Sequence, residues 1–328
     1  MKYFLRRVAF FLLALWAAVT LNFLIPRLMP GNPALNLVAQ MKGRATPAML
    51  HALELQMGVT NAPMWQQYIT YLGQLLHGQL GVSTSRNFEP VSTVIAQSLP
   101  WTLGLVGVVT ILAFIIGTFI GIVGAWRRNT WVDTSQGISW MFLQSIPAFW
   151  LAILFLWVFA YILPWFPQDH SYFSNDTPGL SFHFIGDVLY HAFLPGVVLL
   201  ITSIGGWMLQ MRNNMIQVIS DDYVTFAKAK GLRQYKIMMT YASRNAILPN
   251  ITTFGMALGW AVGGQILIEQ IFSYPGIGFQ LANAVSSQDY PLAQGTFLII
   301  AIVMLVANLV IDVINGLVDP RVRAGGGM

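Results

Sequence analysis

DDYVTFAKAKGLRQYKIMMTYASRNAILPN, residues 221–250, is a polar interruption between two long apolar runs. Ser220 and Asp221 are candidate caps for a short helix, Asp222 adds negative charge to its first turn, and Ala227, Lys228, Ala229 and Lys230 continue it. Gly231 then offers the left-handed conformation that ends a helix. A second helical stretch is expected from about Arg233 until Leu248 and Pro249 lead into the next apolar run. Ala227 and Gly231 stand four apart, a spacing that suggests one smooth side for another protein to approach; the other reading is a surface loop whose basic residues rest on a membrane.

The surroundings of this loop set the class. Hydrophobic residues make up 56% of the 328-residue chain and charged residues 9%, with a mean hydropathy of +0.62. Such a balance is that of an integral membrane protein. A spanning helix needs about 20 mainly apolar residues, and six stretches qualify: about 8–26, 100–125, 136–163, 192–217, 251–272 and 295–317. No A-x-A-like site precedes the PRLMPGNP that closes the first, so an anchor that stays on the chain is expected. An even number of spans places both termini on one side.

Charge gives the orientation. Lys2, Arg6, Arg7, Arg127, Arg128, Arg212, Lys228, Lys230, Arg233, Lys236, Arg244, Arg321 and Arg323, 13 of the 17 basic residues, fall on one side, which the positive-inside rule makes cytoplasmic. The net charge of +5 is thereby a matter of membrane topology and does not call for nucleic acid. The connection at about 164–191 carries Asp169, Asp176 and Asp187 and neither Lys nor Arg, as an external loop should. The external region 27–99 is longer and holds two helical patterns, one with Thr46 as cap, Pro47 at its first position and Gly58 as stop, the other from about Met64 to Leu76. They read equally as a platform for a partner and as amphipathic cover for the bundle.

Enzyme signatures are missing. The sequence contains no G-x-x-x-x-G-K-[ST] to hold nucleotide phosphates and no H-E-x-x-H, and His51, His77, His170, His183 and His191 lack metal-ligand spacing. With no Cys, disulfide and thiolate chemistry are excluded. Glu269 and Asp312 lie towards the ends of their runs, which suits interface placement or pairing better than a midplane proton relay. Gly255, Gly259 and Gly263 on the fifth run, and Gly117 and Gly121 on the second, recur every four residues and predict close helix contact, within the chain or with a partner. Trp207, Met208, Met211, Trp260 and Gln265 are candidates to line a translocation path, with lipid-facing or packed positions as the alternative.

Residues 221–250 resemble the cytoplasmic EAA loop of the permease subunits of binding-protein-dependent ABC importers, of the dipeptide/oligopeptide type, with Ala227, Gly231, Asn245 and Pro249 at matching places. The glutamate that names the motif is absent; Thr225 and Phe226 stand in that region. The resemblance continues in RLMPGNPA, in GQLGVSTSRNFEPVSTVIAQSLPWTLGL, in SIPAFWLAILF, in ILIEQIFSYPGIGFQLANAVSSQDYP, where Gln288 replaces a frequent Arg, and in DPRVR.

That family implies an all-α, six-helix type I importer permease fold with an extended external loop between helices 1 and 2. Its expected parts here are a first spanning helix over 1–26, the external region 27–99, a core over 100–320 containing the coupling loop 220–250, and a tail over 321–328. It further implies a bacterial inner-membrane location with both termini cytoplasmic. A second homologous permease, two ATPase subunits that hold ATP and Mg, and an external substrate-binding protein would complete the machine, leaving no cofactor on this chain. Asp222, Tyr223, Ala227, Lys228, Ala229, Lys230, Gly231, Asn245 and Pro249 would then form the ATPase-coupling loop. Peptide is the expected cargo, with oligosaccharides, nickel chelates and glutathione as alternatives within the family. A self-sufficient secondary transporter is the rival class; it calls for polar residues at mid-span and paired repeats, which this sequence offers sparingly.

Overall fold

In a computed structural model, residues 2–28 and 62–318 are described. The helical pattern with Thr46, Pro47 and Gly58, and the tail with Arg321 and Arg323, lie outside them. Among the described residues every regular element is a helix, and strand pairing is confined to one isolated bridge between Val82 and Pro90. The described residues form two compact units, the first within 1–102, 262–266 and 275–328, the second within 103–261 and 267–274.

In the first unit, α1 (Lys2–Leu28) packs along α14 (Tyr290–Val318). Two spanning helices gain no hydrophobic drive from each other in lipid, so polar contacts matter between them. Here the Asn22 amide donates to the Gln294 carbonyl at 3.1 Å, and the Gln294 amide donates back to the Asn22 carbonyl at 2.8 Å. The short helix α2 (Met64–Leu76) matches the predicted pattern and closes on α1 through Tyr71, whose hydroxyl accepts from Asn22 at 3.0 Å, while Tyr68 and Tyr71 both pack on buried Phe23. α3 (Val91–Thr102) packs against α13 (Ile277–Ser286) and α14, and Gly295 gives up the space that the Val91 side chain fills. Buried Asp289 ties the turn before α14 to the turn before α3: its carboxylate accepts from the hydroxyls of Ser83 and Ser85 at 2.6 and 2.7 Å and from the Ser85 amide at 2.9 Å.

The second unit is built on α4 (Val108–Trp126), entered through a wide turn at Leu103–Gly107, and the 38-residue α7 (Phe182–Ile219). This is the largest helix contact in the chain. Gly117 and Gly121 explain it, since a Cβ on Gly117 would stand 2.8 Å from the Ile204 carbonyl and one on Gly121 would stand 2.5 Å from the Met208 carbonyl. The predicted stripe of small residues is thus met by a helix of the same chain. α5 (Trp131–Ser145) also packs on α7 and is held there by Asp133 and Arg212, joined through two hydrogen bonds of 2.6 and 2.9 Å.

Among the described residues four helices are long and apolar enough to cross a membrane, or five if one bent pair counts as a span, against the six expected. The expected third span, 136–163, is that pair: α5 and α6 (Ala148–Phe155, extended by a wide turn to Ile162) meet at an 86° bend. Pro147 forces its neighbour Ile146 into extended backbone, ψ 126°, and the helix stops there. The expected fifth span, 251–272, is likewise divided. α11 (Leu248–Ala261) ends before the Gly263–Gly264 pair, where Gly264 takes φ +71°, and α12 (Ile266–Ile271) follows. Gly263 therefore lies beyond the helix that holds Gly255 and Gly259, and the three do not make one helical stripe.

Candidate functional site

The loop singled out by the sequence folds as α8 (Asp222–Ala229), a tight stop, and an irregular helical return. Asp221 occupies the capping position in extended backbone but its side chain makes no cap hydrogen bond, and Ser220 instead donates to the Gln217 carbonyl at 2.7 Å. At the far end the Gly231 amide donates to the Lys228 carbonyl at 2.9 Å with φ +71°. That conformation costs an L-residue about 1–2 kcal/mol, so the glycine is required here by backbone geometry. The return runs through α9 (Gln234–Lys236), a wide turn at Ile237–Ala242 and α10 (Ser243–Ala246), and Pro249 then takes the second position of α11.

One face of this loop belongs to the chain's own core. Val224, Ala227, Ile237, Ala242 and Ala246 are buried with Ile122 and Ala125 of α4 and Met211 and Met215 of α7. This corrects the expectation that Ala227 and Gly231 share an outward side. Ala227 is 1% exposed and admits the chain's own helices, whereas Gly231 is exposed with open space around it. Ala227 sits mid-helix and Gly231 past the stop, so helical spacing does not apply across them.

The second face is presented outward. Phe226 and Tyr235 are exposed at 61% and 71%, and Tyr223 at 36%, among exposed Asp222, Lys228, Ala229, Lys230, Arg233, Lys236 and Arg244. Two hydrogen bonds fix the loop's shape. Asn245 donates to the Tyr223 hydroxyl at 2.8 Å across 22 residues, closing the return onto α8. Asn214 of α7 donates to the Ala246 carbonyl at 3.2 Å and to the Asn250 side chain at 3.0 Å, which holds the exit of the loop against α7. Phe226 and Tyr235, as the aromatic part of the outward face, are absent from the sequence-derived set, and the available signal was a large apolar ring in an otherwise charged loop. Asn214 gave no local signal.

The path candidates separate by burial. Trp207, Met208 and Met211 are 9%, 1% and 0% exposed and pack on α4, with Trp207 edge-on to Phe114 at 5.4 Å. Trp260 is 66% exposed, and Gln265 is exposed in the break after α11. Glu269 is fully buried in α12 beside buried Tyr274, in keeping with an internal position. Among the described residues no cluster of three or more His, Cys, Asp or Glu has the arrangement to hold a metal ion.

Apolar helices of spanning length, a bent pair and a compact basic loop packed on two of them define a multi-pass helical membrane protein. The chain belongs to the family described as binding-protein-dependent transport system inner membrane components, whose model matches residues 117–324, a range that includes the whole loop. It is 36% identical to a peptide permease protein of Brucella suis biovar 1, 33% to the dipeptide transport system permease protein of Alkalihalophilus pseudofirmus and 32% to the oligopeptide transport system permease protein of Bacillus subtilis strain 168. In each case the match covers 98% of this chain and 99% of the relative.

Proposed function

We propose that this chain is a permease subunit of an ATP-driven importer of dipeptides or oligopeptides, and that residues 221–250 are its mechanical link to the ATPase. The exposed side of the loop carries this reading: Phe226, with the Lys230 ammonium 4.5 Å from its ring centre, and Tyr235 are exposed aromatics among basic residues, on a scaffold whose inner face is locked into α4 and α7. Exposed aromatic side chains ringed by charge are the usual anchors of protein interfaces. A loop that merely rested on the membrane would not need the Tyr223–Asn245 clamp. Because Val224 and Ala227 are embedded in the same cluster as Met211 and Met215, a push on the outward face is transmitted to α7 through close packing.

In this reading the basic side, with both termini, is cytoplasmic, and the acidic connection at 164–191 faces the external binding protein that delivers cargo. A second homologous permease completes the pathway, and two ATPase subunits hold the ATP and Mg. Peptide is the cargo class because the relatives bear that name along their full length. The test is reconstitution of the complete transporter in liposomes with peptide and binding protein. Gly231→Val, which forces the stop out of its left-handed conformation, is expected to retain ATP hydrolysis and lose at least nine-tenths of peptide uptake. Full uptake by that variant would sink the coupling role.

A further inference from the structure

Beside the loop, the 19-residue apolar α4 ends at Trp126 and is followed by Arg127 and Arg128, and the last turn of α7, with Ile216 and Ile219, shares a cavity with that end. The cavity, of about 250 Å³, is walled by Trp126, Ile216 and Ile219 and lined on its polar side by Arg128, Lys228 and Gln234. None of its lining residues is acidic. Asp133, on the helix that follows Arg128, is already engaged by the Arg212 guanidinium through two hydrogen bonds. The Lys228 ammonium lies 5.8 Å from the Trp126 ring centre, drawn towards the end of α4.

We infer that this cavity binds the phosphodiester headgroup of an anionic phospholipid of the cytoplasmic leaflet. Two cations, an amide and a hydrophobic wall ending in Trp match a phosphate with acyl chains below it. A Trp that closes an apolar helix and is followed at once by basic residues, as in Trp126–Arg127–Arg128, marks headgroup depth, where basic pockets between helices take anionic lipids. The leaflet assignment rests on the orientation proposed above; the pocket chemistry does not. With Lys228 belonging both to the pocket and to the loop, the lipid would brace α8 against α4.

The test is native mass spectrometry of the full chain, purified in neutral detergent with and without the other transporter subunits, and titrated with phosphatidylglycerol or phosphatidylcholine. Phosphatidylglycerol is expected to be retained in preference to phosphatidylcholine. Arg128→Gln is expected to weaken that retention about fivefold, Arg128→Lys to preserve it, and Arg127→Gln, which removes an exposed charge that lines neither the pocket nor the loop, to leave it unchanged. Equal retention of the two lipids, an equal loss in Arg127→Gln, or full competition by inorganic phosphate overturns the proposal. Displacement of the lipid by added ATPase subunits overturns it too, by giving the pocket to a protein. Lipid retention is read without transport, so it stands or falls separately from the Gly231→Val result.

Discussion

Gly121 and Gly231 are the same residue type used for opposite reasons. At Gly121 the backbone is ordinary helix and space is the constraint, with the Met208 carbonyl of α7 where a side chain would be. At Gly231 space is open and the backbone is the constraint, at φ +71°. One glycine holds the scaffold together, and the other shapes the part the scaffold presents. The difference teaches that space and backbone conformation are separate demands on a glycine, and on the proposed coupling role substitutions at the two should separate stability from transport.

The largest effect is expected from Gly121→Leu. A branched side chain there must part α4 from α7, and overpacking of that kind costs about 1–3 kcal/mol even where neighbours can shift. A backbone carbonyl cannot shift alone, so loss of the folded protein, read as aggregation on size exclusion in mild detergent, is the expected result. Asp133→Ala comes next, leaving the Arg212 guanidinium without its two-bond acceptor at a cost of about 1.5–3 kcal/mol, measured as a drop in the thermal midpoint of the detergent-solubilised protein.

Gly231→Ala should cost about 1 kcal/mol, visible as a small midpoint shift but a marked fall in uptake per ATP hydrolysed. If uptake and stability fell in parallel for Gly231→Ala, the separation between the two glycines would collapse. The smallest stability effect belongs to Asn245→Ala, which removes an exposed hydrogen bond to Tyr223 that water can replace, worth about 0.5 kcal/mol. Faster hydrogen exchange confined to α8 and the return, with a midpoint shift smaller than that of Gly231→Ala, would sharpen the comparison.

The sequence made the tight stripe on α4 legible, because Gly117 and Gly121 declare a close approach by their spacing alone. It also made α2 legible, through an apolar periodicity that needs no partner, and Gly231, through its place after a helical run. What stayed hidden depends on residues far apart. Asp133 meets Arg212 across 79 positions and Asn22 meets Gln294 across 272, and no local pattern announces such pairs. Two errors had visible signals outweighed by hydropathy: Ile146–Pro147 and Gly263–Gly264 both punctuate runs apolar enough to read as unbroken spans. The inward side of Ala227 was hidden for another reason. A small residue looks alike on paper whether it makes room for a neighbour's backbone or for a foreign protein.

The paired amides of Asn22 and Gln294 carry a consequence for biosynthesis. Their residues lie 272 positions apart, and at about 5–20 residues per second of synthesis the first waits about 14–55 s for the second to be made. Through that interval the Asn22 side chain has only one of the two acceptors it holds in the finished protein, the Tyr71 hydroxyl. Closure of the clasp is therefore a late event, available only to a chain translated nearly to its end, and a nascent chain truncated before α14 would carry a half-satisfied Asn22 as a mark of incompleteness.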